Sequence, residues 1–283
     1  MKIAVTSASG QLGAAIARQL VQDMGRDNVL AIARTPENAA HLGLEVRKGD
    51  YDNRQDFELA LQGVDAVLLV SGMAAPQDRI QQHRNVIEAA QSCGVKKIVY
   101  TSIVGDASRT TFSPIIQSNR QTEADIRQSG LDWAIGRNGL YIEPDLEYVD
   151  KYVEKGKIWN CAGAGLCAYT SRKELAVAYS NMLQEERHKG HTYNLVGEPI
   201  RQQQLADYIN QVFKTQLIYE SMGVEAYLED RKAELGEFLG TVIAGIYEGI
   251  RNGDFAPASD FEKATGRSHI SALEIIRDFK SPK

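Results

Sequence analysis

The chain has 283 residues, 43% of them hydrophobic and 24% charged, with a formal net charge of −5. That length and balance describe one large soluble domain or two modest ones, with chain enough for a sizeable core. The acidic balance and the lack of any lysine or arginine run argue against a nucleic-acid surface, and no window approaches the roughly 20 apolar residues of a membrane span.

The sequence begins with a strand. Ile3 and Val5 suit a buried parallel position, and the chain turns at once into Thr6-Ser7-Ala8-Ser9-Gly10-Gln11-Leu12-Gly13. Leu12, Ile16, Leu20 and Met24 then recur at helical spacing. Such a strand, loop and helix aim unpaired backbone N–H groups and the positive helix end at one point, where a pyrophosphate sits. A lone Gly-x-x-Gly is weak, and a merely tight turn is the bland alternative. A second strand at the right distance favours the dinucleotide reading. The strand at Lys2 leaves no segment ahead of it for a signal peptide. Cys93, Cys161 and Cys167 are odd in number and lack metal-ligand spacing, so a cytoplasmic location and no metal are expected.

Val29–Ala33 is a second apolar strand, and 44–47 a third that ends in Gly49-Asp50. Residues 65–71 form the strongest strand pattern, followed by 97–102 and 132–136. Helical patterns at 54–61, 79–92 and 116–129 fall between them, with Gly94 and Gly130 at helix ends. Strands buried on both faces and separated by helices imply a doubly wound parallel α/β sheet of the Rossmann type, which binds ligands at the carboxyl ends of its strands. Beyond Tyr141, 146–155 and 172–185 look helical, 192–196 and 216–219 extended, and Gln202–Phe213 and 224–252 helical again. The stripe Phe238, Leu239, Val242, Ile243, Ile246, Tyr247 and Ile250 is expected in the core or at a subunit contact of a homodimer, with a pocket lining as the alternative. Residues 1–142 are thus expected to form the nucleotide-binding core, with 157–197 completing its sheet. Residues 198–283, with 143–156, are expected to form a smaller, mostly helical substrate lobe.

The cofactor end has chemical detail. The second strand ends at Arg34, about twenty residues past Gly13, where an acidic residue would select NAD and an arginine suits a 2′-phosphate. The alternative is an ordinary solvated arginine. By topology, Asp50 is placed for the adenine amino group, and Ser71, Gly72, Thr101 and Ser102 for the nicotinamide half.

Residues 6–13, Ala33-Arg34, Gly49-Asp50-Tyr51, the run 82–87, Tyr100-Thr101-Ser102, Thr122-Glu123, 137–141, 171–176 and 192–196 together resemble the NmrA-like group of atypical short-chain dehydrogenases. Within it the chain is most similar to the bacterial NADPH-dependent quinone oxidoreductase and triphenylmethane reductase types. The resemblance implies that Ser9, Gly10, Gln11 and Leu12 wrap the pyrophosphate of NADP(H) and that Arg34 holds the 2′-phosphate. It also implies that Asn138, Gly139 and Tyr141 border the substrate cavity.

Two positions depart from the family pattern. Ser7 stands where a glycine usually permits the tight turn. Asn119 stands where quinone-reductase relatives often carry a histidine, so a proton donor is replaced by an amide that still donates a hydrogen bond. Residues 112–127 also contain neither tyrosine nor lysine, which removes the Tyr-x-x-x-Lys proton shuttle of epimerases and alcohol dehydrogenases. Hydride transfer to a quinone-like, electron-poor acceptor does not need that pair, because water can protonate the product oxygen. Asn119 and Tyr141 are then the candidates for orienting and stacking the acceptor, with Trp133 and Tyr169 as further aromatics. Three readings follow: an NADPH-dependent reductase of quinone-like compounds, a non-catalytic NADP(H)-sensing regulator with a protein partner, and a nucleotide-free structural member resting on Ser7.

Overall fold

The computed structural model describes residues 1–281. Seven parallel strands form its centre: β1 (Ile3–Val5), β2 (Val29–Ala33), β3 (Glu45–Lys48), β4 (Ala66–Val70), β5 (Lys97–Ile103), β6 (Asp132–Asn138) and, later in the chain, β9 (His191–Leu195). Their order is β3-β2-β1-β4-β5-β6-β9, the doubly wound arrangement with its switch point beside β1. Alternation sorts the side chains. Ile3, Val5, Leu68 and Val70 face one layer and Ala4, Val67 and Leu69 the other, as the period of two requires.

Helices α1 (Gln11–Met24) and α7 (Arg172–Gln184) cover the first face, with Ile16, Leu20, Leu175 and Tyr179 packed on the sheet. Helices α2 (Arg54–Ala60), α3 (Pro76–Ser92) and α4 (Ser113–Gln128) cover the second, with Phe57, Val86, Ile87 and Ile126. Both α3 and α4 start earlier than their periodicity implies, because Pro76 and Pro114 pre-set the first turn.

The second lobe is built from α5 (Glu143–Glu147), α6 (Val149–Lys155), β7 (Lys157–Asn160), β8 (Leu166–Ala168), β10 (Pro199–Arg201), α8 (Gln202–Phe213), β11 (Ile218–Ser221), α9 (Val224–Leu235) and α10 (Glu237–Arg251). Two short helices, α11 (Phe261–Thr265) and α12 (Ala272–Lys280), follow them. Strand β7 pairs with β11, and β8 with β10. Within 157–197, expected to complete the central sheet, β9 adds its last strand and α7 covers it, while β7 and β8 pair within the second lobe. Phe261 and Ala264 of α11 return to that half and pack under α7. The 224–252 pattern divides at Gly236, whose φ of +82° ends α9.

Glycines let α10 sit close to its neighbours. A Cβ at Gly240 would strike the α9 backbone, and one at Gly245 would strike Thr111 and Phe112 in the loop after β5. Val242 and Ile246 pack on a core shared by both lobes, whereas Phe238 and Leu239 are exposed rather than buried. Asp145 is buried and accepts hydrogen bonds from Tyr152 (2.7 Å) and Tyr247 (3.2 Å), which ties α5, α6 and α10 together. Burial pushes its carboxyl above the usual range. No helix among the described residues is long and apolar enough to cross a membrane.

One charged cluster joins β5, α4 and β6. Glu123, fully buried, meets Arg120 at 2.8 Å, Arg127 at 3.1 Å and Arg137 at 2.7 Å, and it accepts from the Ser102 hydroxyl at 2.7 Å. Burial alone would raise its carboxyl, but Arg137, Arg120 and Ser102 hold it at about 2. The lowered folded value makes this contribution complete above the usual carboxylate range and loses it as pH falls towards 2. Glu123→Gln should therefore cost about 3 kcal/mol at pH 7, since it strands three partly covered arginines. The loss in urea unfolding should shrink as the pH approaches 2; a pH-independent difference would contradict this assignment.

Candidate functional site

The carboxyl ends of β1, β2, β4 and β5 meet at one edge. Beyond β1, Ser9, Gly10 and Gln11 are exposed, and no acceptor among the described residues takes the N–H of Ser9, Gln11, Leu12 or Gly13. These free donors and the first turn of α1 face the same side. Gly13 is required by close approach, since a Cβ there would run into the Ser7 carbonyl. The loop thus fits an anionic pyrophosphate.

Ser7 adopts φ +50°, a left-handed conformation that glycine tolerates and serine does not favour. Its hydroxyl donates to the Tyr51 phenol at 3.1 Å. The Tyr51 hydroxyl in turn donates to the Val70 carbonyl at 2.6 Å and meets the Thr6 hydroxyl at 2.6 Å. With the phenol proton on Val70, Thr6 must donate to Tyr51, and its oxygen accepts from Val70 N–H at 2.9 Å. Burial first, eased by the two hydroxyls, pushes the phenol up to about 12. Tyr51 therefore locks the loop to the end of β4. The sequence shows Tyr51 within a motif but gives it no role.

Arg34 is exposed at the end of β2 and forms no ion pair or hydrogen bond among the described residues. Asp50 holds its own loop through Asp52 N–H at 3.2 Å. At the ends of β4 and β5, the side chains turn inward. Ser71 N–H donates to the Thr101 hydroxyl at 2.8 Å, and Ser102 is bound to Glu123. The Asn119 carbonyl oxygen accepts from Tyr100 at 2.7 Å and from the Ser71 hydroxyl at 3.3 Å, while its amide donates to the Ile115 carbonyl at 2.8 Å. Asn119 is 2% exposed, so it links Ser71 to α4 instead of projecting into open space.

His83 lies beneath this edge. Gly72 N–H donates to its Nε2 at 3.1 Å, which leaves the ring proton on Nδ1, facing the Thr122 hydroxyl at 2.8 Å. Burial, then the charge of Arg79, hold its pKa down at about 3, and the Tyr100 phenol is raised by burial. The sequence shows His83 and Tyr100 within motifs but gives them no role, and it does not single out Arg79, because only their spatial convergence distinguishes them.

At the end of β6, Asn138 bridges Tyr179 (2.6 Å) and Tyr141 (3.1 Å), and Gly139 makes room for the Ala168 carbonyl. Both are buried. Tyr141 is partly exposed, packs with the cluster that contains Leu12, and has the Arg172 guanidinium 5.6 Å from its ring centre. Trp133 stands at the opposite, amino end of β6 under Arg127, and Tyr169 is buried against Gln202. A hollow of about 350 Å³ beside Lys151, Lys155 and Trp159 lies in the second lobe and shares no residue with this edge.

The Ser7 geometry makes a paired prediction. Ser7→Ala keeps the left-handed strain and loses the hydrogen bond, so it should lower stability by about 1 kcal/mol. Ser7→Gly loses the same bond but relieves strain of about 1 kcal/mol, so it should be close to neutral. Chemical unfolding of both variants checks the order; a more damaging glycine would contradict it.

The model of the NAD(P)H-binding family matches residues 7–185. Quinone oxidoreductase 2 of Escherichia coli is 36% identical over 199 residues, covering 69% of this chain and 68% of that protein. The crystal structure of the E. coli NADPH-dependent quinone oxidoreductase complexed with NADPH superposes with a TM-score of 0.90 at 30% identity, covering 99% of this chain and 100% of that one. Triphenylmethane reductase of Citrobacter sp. gives 0.90 at 32% identity, with 98% and 99% covered. An NmrA-like family domain-containing oxidoreductase of Aspergillus flavus is 26% identical over 98% of this chain and 94% of its own. The chain belongs to the NAD(P)H-binding, NmrA-like group of short-chain dehydrogenases, alongside the bacterial quinone oxidoreductase and triphenylmethane reductase types.

Proposed function

We propose that this protein is an NADPH-dependent reductase of quinones or similarly electron-poor acceptors. The observation that carries the reading is the absence of a proton shuttle among the described residues at the β4–β5 edge. His83 is held neutral, Tyr100 is pushed up, and α4 offers an amide at Asn119. Alcohol and sugar chemistry need an acid or base poised near working pH. A quinone does not, because its electron affinity drives the transfer and water completes the protonation. The names of relatives agree in kind: a quinone oxidoreductase, a triphenylmethane reductase and the NAD(P)H azoreductase of Xenophilus azovorans all reduce conjugated acceptors.

Each residue then has a task. The N–H groups of Ser9, Gln11, Leu12 and Gly13 bind the pyrophosphate, Arg34 takes the 2′-phosphate, and Asp50 faces the adenine. Thr6, Ser7, Gly72, Thr101 and Ser102 shape the cradle from beneath. Asn119 positions Ser71 below the nicotinamide half, and Tyr141, fixed by Asn138, forms an aromatic wall for the acceptor. NADPH, when bound, supplies the hydride. The protein excludes water and holds the acceptor in line.

The sensor reading is favoured by one feature, the Asn119 amide committed to the protein interior. NADPH absorbance separates the two. Oxidation with simple quinones, and none with sugar nucleotides or secondary alcohols, supports the reductase. Tight NADPH binding without oxidation across a broad quinone panel would replace it with the sensor.

Two substitutions refine the test. Arg34→Ala should weaken NADPH binding by about 1.5–3 kcal/mol, roughly tenfold to over a hundredfold, and leave NADH nearly unchanged. Equal losses would remove Arg34 from the 2′-phosphate. Tyr141→Ala should raise the acceptor KM more than it lowers kcat, since a stacking wall acts on ground and transition states alike. A selective fall in kcat would give Tyr141 a different role.

A further inference from the structure

Among the described residues, Arg79 is the one buried cation at this edge that the fold does not neutralise. It is 4% exposed, its Nε has no hydrogen-bond partner, and no carboxylate among the described residues lies within 4.0 Å of it. A single contact, to the Ala74 carbonyl at 3.0 Å, anchors one terminal nitrogen. Arg79 also sits in the first turn of α3, where the helix dipole opposes a positive charge. A buried, unpaired cation at the positive end of a helix is unfavourable on both counts.

Its position explains what it faces. His83 lies one turn further along the same face of α3 and takes the Gly72 N–H, so it stands level with the end of β4. Side chains on a helix lean towards its amino end, which carries Arg79 from that level towards the crevice beyond the sheet. The His83 ring packs 5.5 Å from the Tyr100 ring, and Tyr100 leads to Asn119 and Ser71. The charge of Arg79 is felt at both His83 and Tyr100. The pyrophosphate and 2′-phosphate have their own donors at the start of α1 and at Arg34, so neither needs Arg79.

We propose that Arg79 binds the acceptor oxygen that becomes anionic during reduction. In that step the acceptor gains a hydride with its electron pair from NADPH, which leaves NADP⁺. The acceptor oxygen is left with the negative charge, and a proton from water then neutralises it. Arg79 supplies charge and hydrogen bonds without giving up a proton. A donor aimed at developing charge in a dry site acts mainly on the transition state. This role rests on the reductase reading, and a binding experiment separates the two.

The probe is a nitrophenol added to NADP⁺-loaded protein, with its ionisation followed by visible absorbance. Wild-type protein should bind the phenolate at least tenfold more tightly than the neutral phenol. Arg79→Met should abolish that preference and Arg79→Lys should keep part of it, with NADPH affinity unchanged in both. Arg79→Met should unfold no more easily than the wild type, because it removes an unpaired buried charge. Its kcat with quinones should fall by about 10²–10³-fold. A phenolate preference that survives in Arg79→Met would overturn the proposal. A preference that depends on Arg79 in a protein without quinone turnover would keep the anion site and overturn only the reductase reading.

Discussion

The hydroxyl of Tyr51 joins three pieces of chain at the carboxyl edge of the sheet. It accepts from Thr6 at the end of β1 and from Ser7 in the glycine loop, and it donates to Val70 at the end of β4. Tyr51 is itself fixed, because Asn85 of α3 donates to its carbonyl at 2.8 Å and its ring stacks on Phe57. A left-handed serine would otherwise relax and swing the Ser9–Gly13 donors out of line. The phenol therefore ties the glycine loop to the β4 edge.

The charges around this edge are divided in a way that suits hydride transfer. Glu123 and its three arginines form a closed network behind β5 and β6, while the crevice itself keeps neutral groups at His83, Tyr100 and Asn119. Among the described residues, the cations left without carboxylate partners near the crevice are Arg34 and Arg79. The second lobe completes the enclosure, since the Gly245 contact brings α10 onto the loop between β5 and α4.

The nucleotide-binding half was legible because its signals are local. Runs such as Val29–Ala33 and the spacing of Leu12, Ile16 and Leu20 report burial directly, and the alternation of strands with helices points to a parallel sheet. The second lobe was less legible. Strands β7 and β8 are three or four residues long and find partners thirty residues or more away, which periodicity does not encode. Phe238 and Leu239 share a stripe with Ile250, yet Gly236 starts the helix so that its first turn projects into solvent. Ser7 was readable as an oddity, but its remedy, a tyrosine forty-four residues later, required the folded geometry.

Nicotinamide fluorescence titrations of Tyr51→Phe with NADPH and NADH test the central claim most directly. Removing the hydroxyl takes one hydrogen bond from each of Thr6, Ser7 and Val70 and leaves Arg34 untouched. Affinity for both cofactors should fall by the same factor, about tenfold for the loss of one effective hydrogen bond, with the preference between them unchanged. Unaltered binding of both cofactors by a folded Tyr51→Phe protein would show that the loop holds its shape without this contact, and would contradict the account.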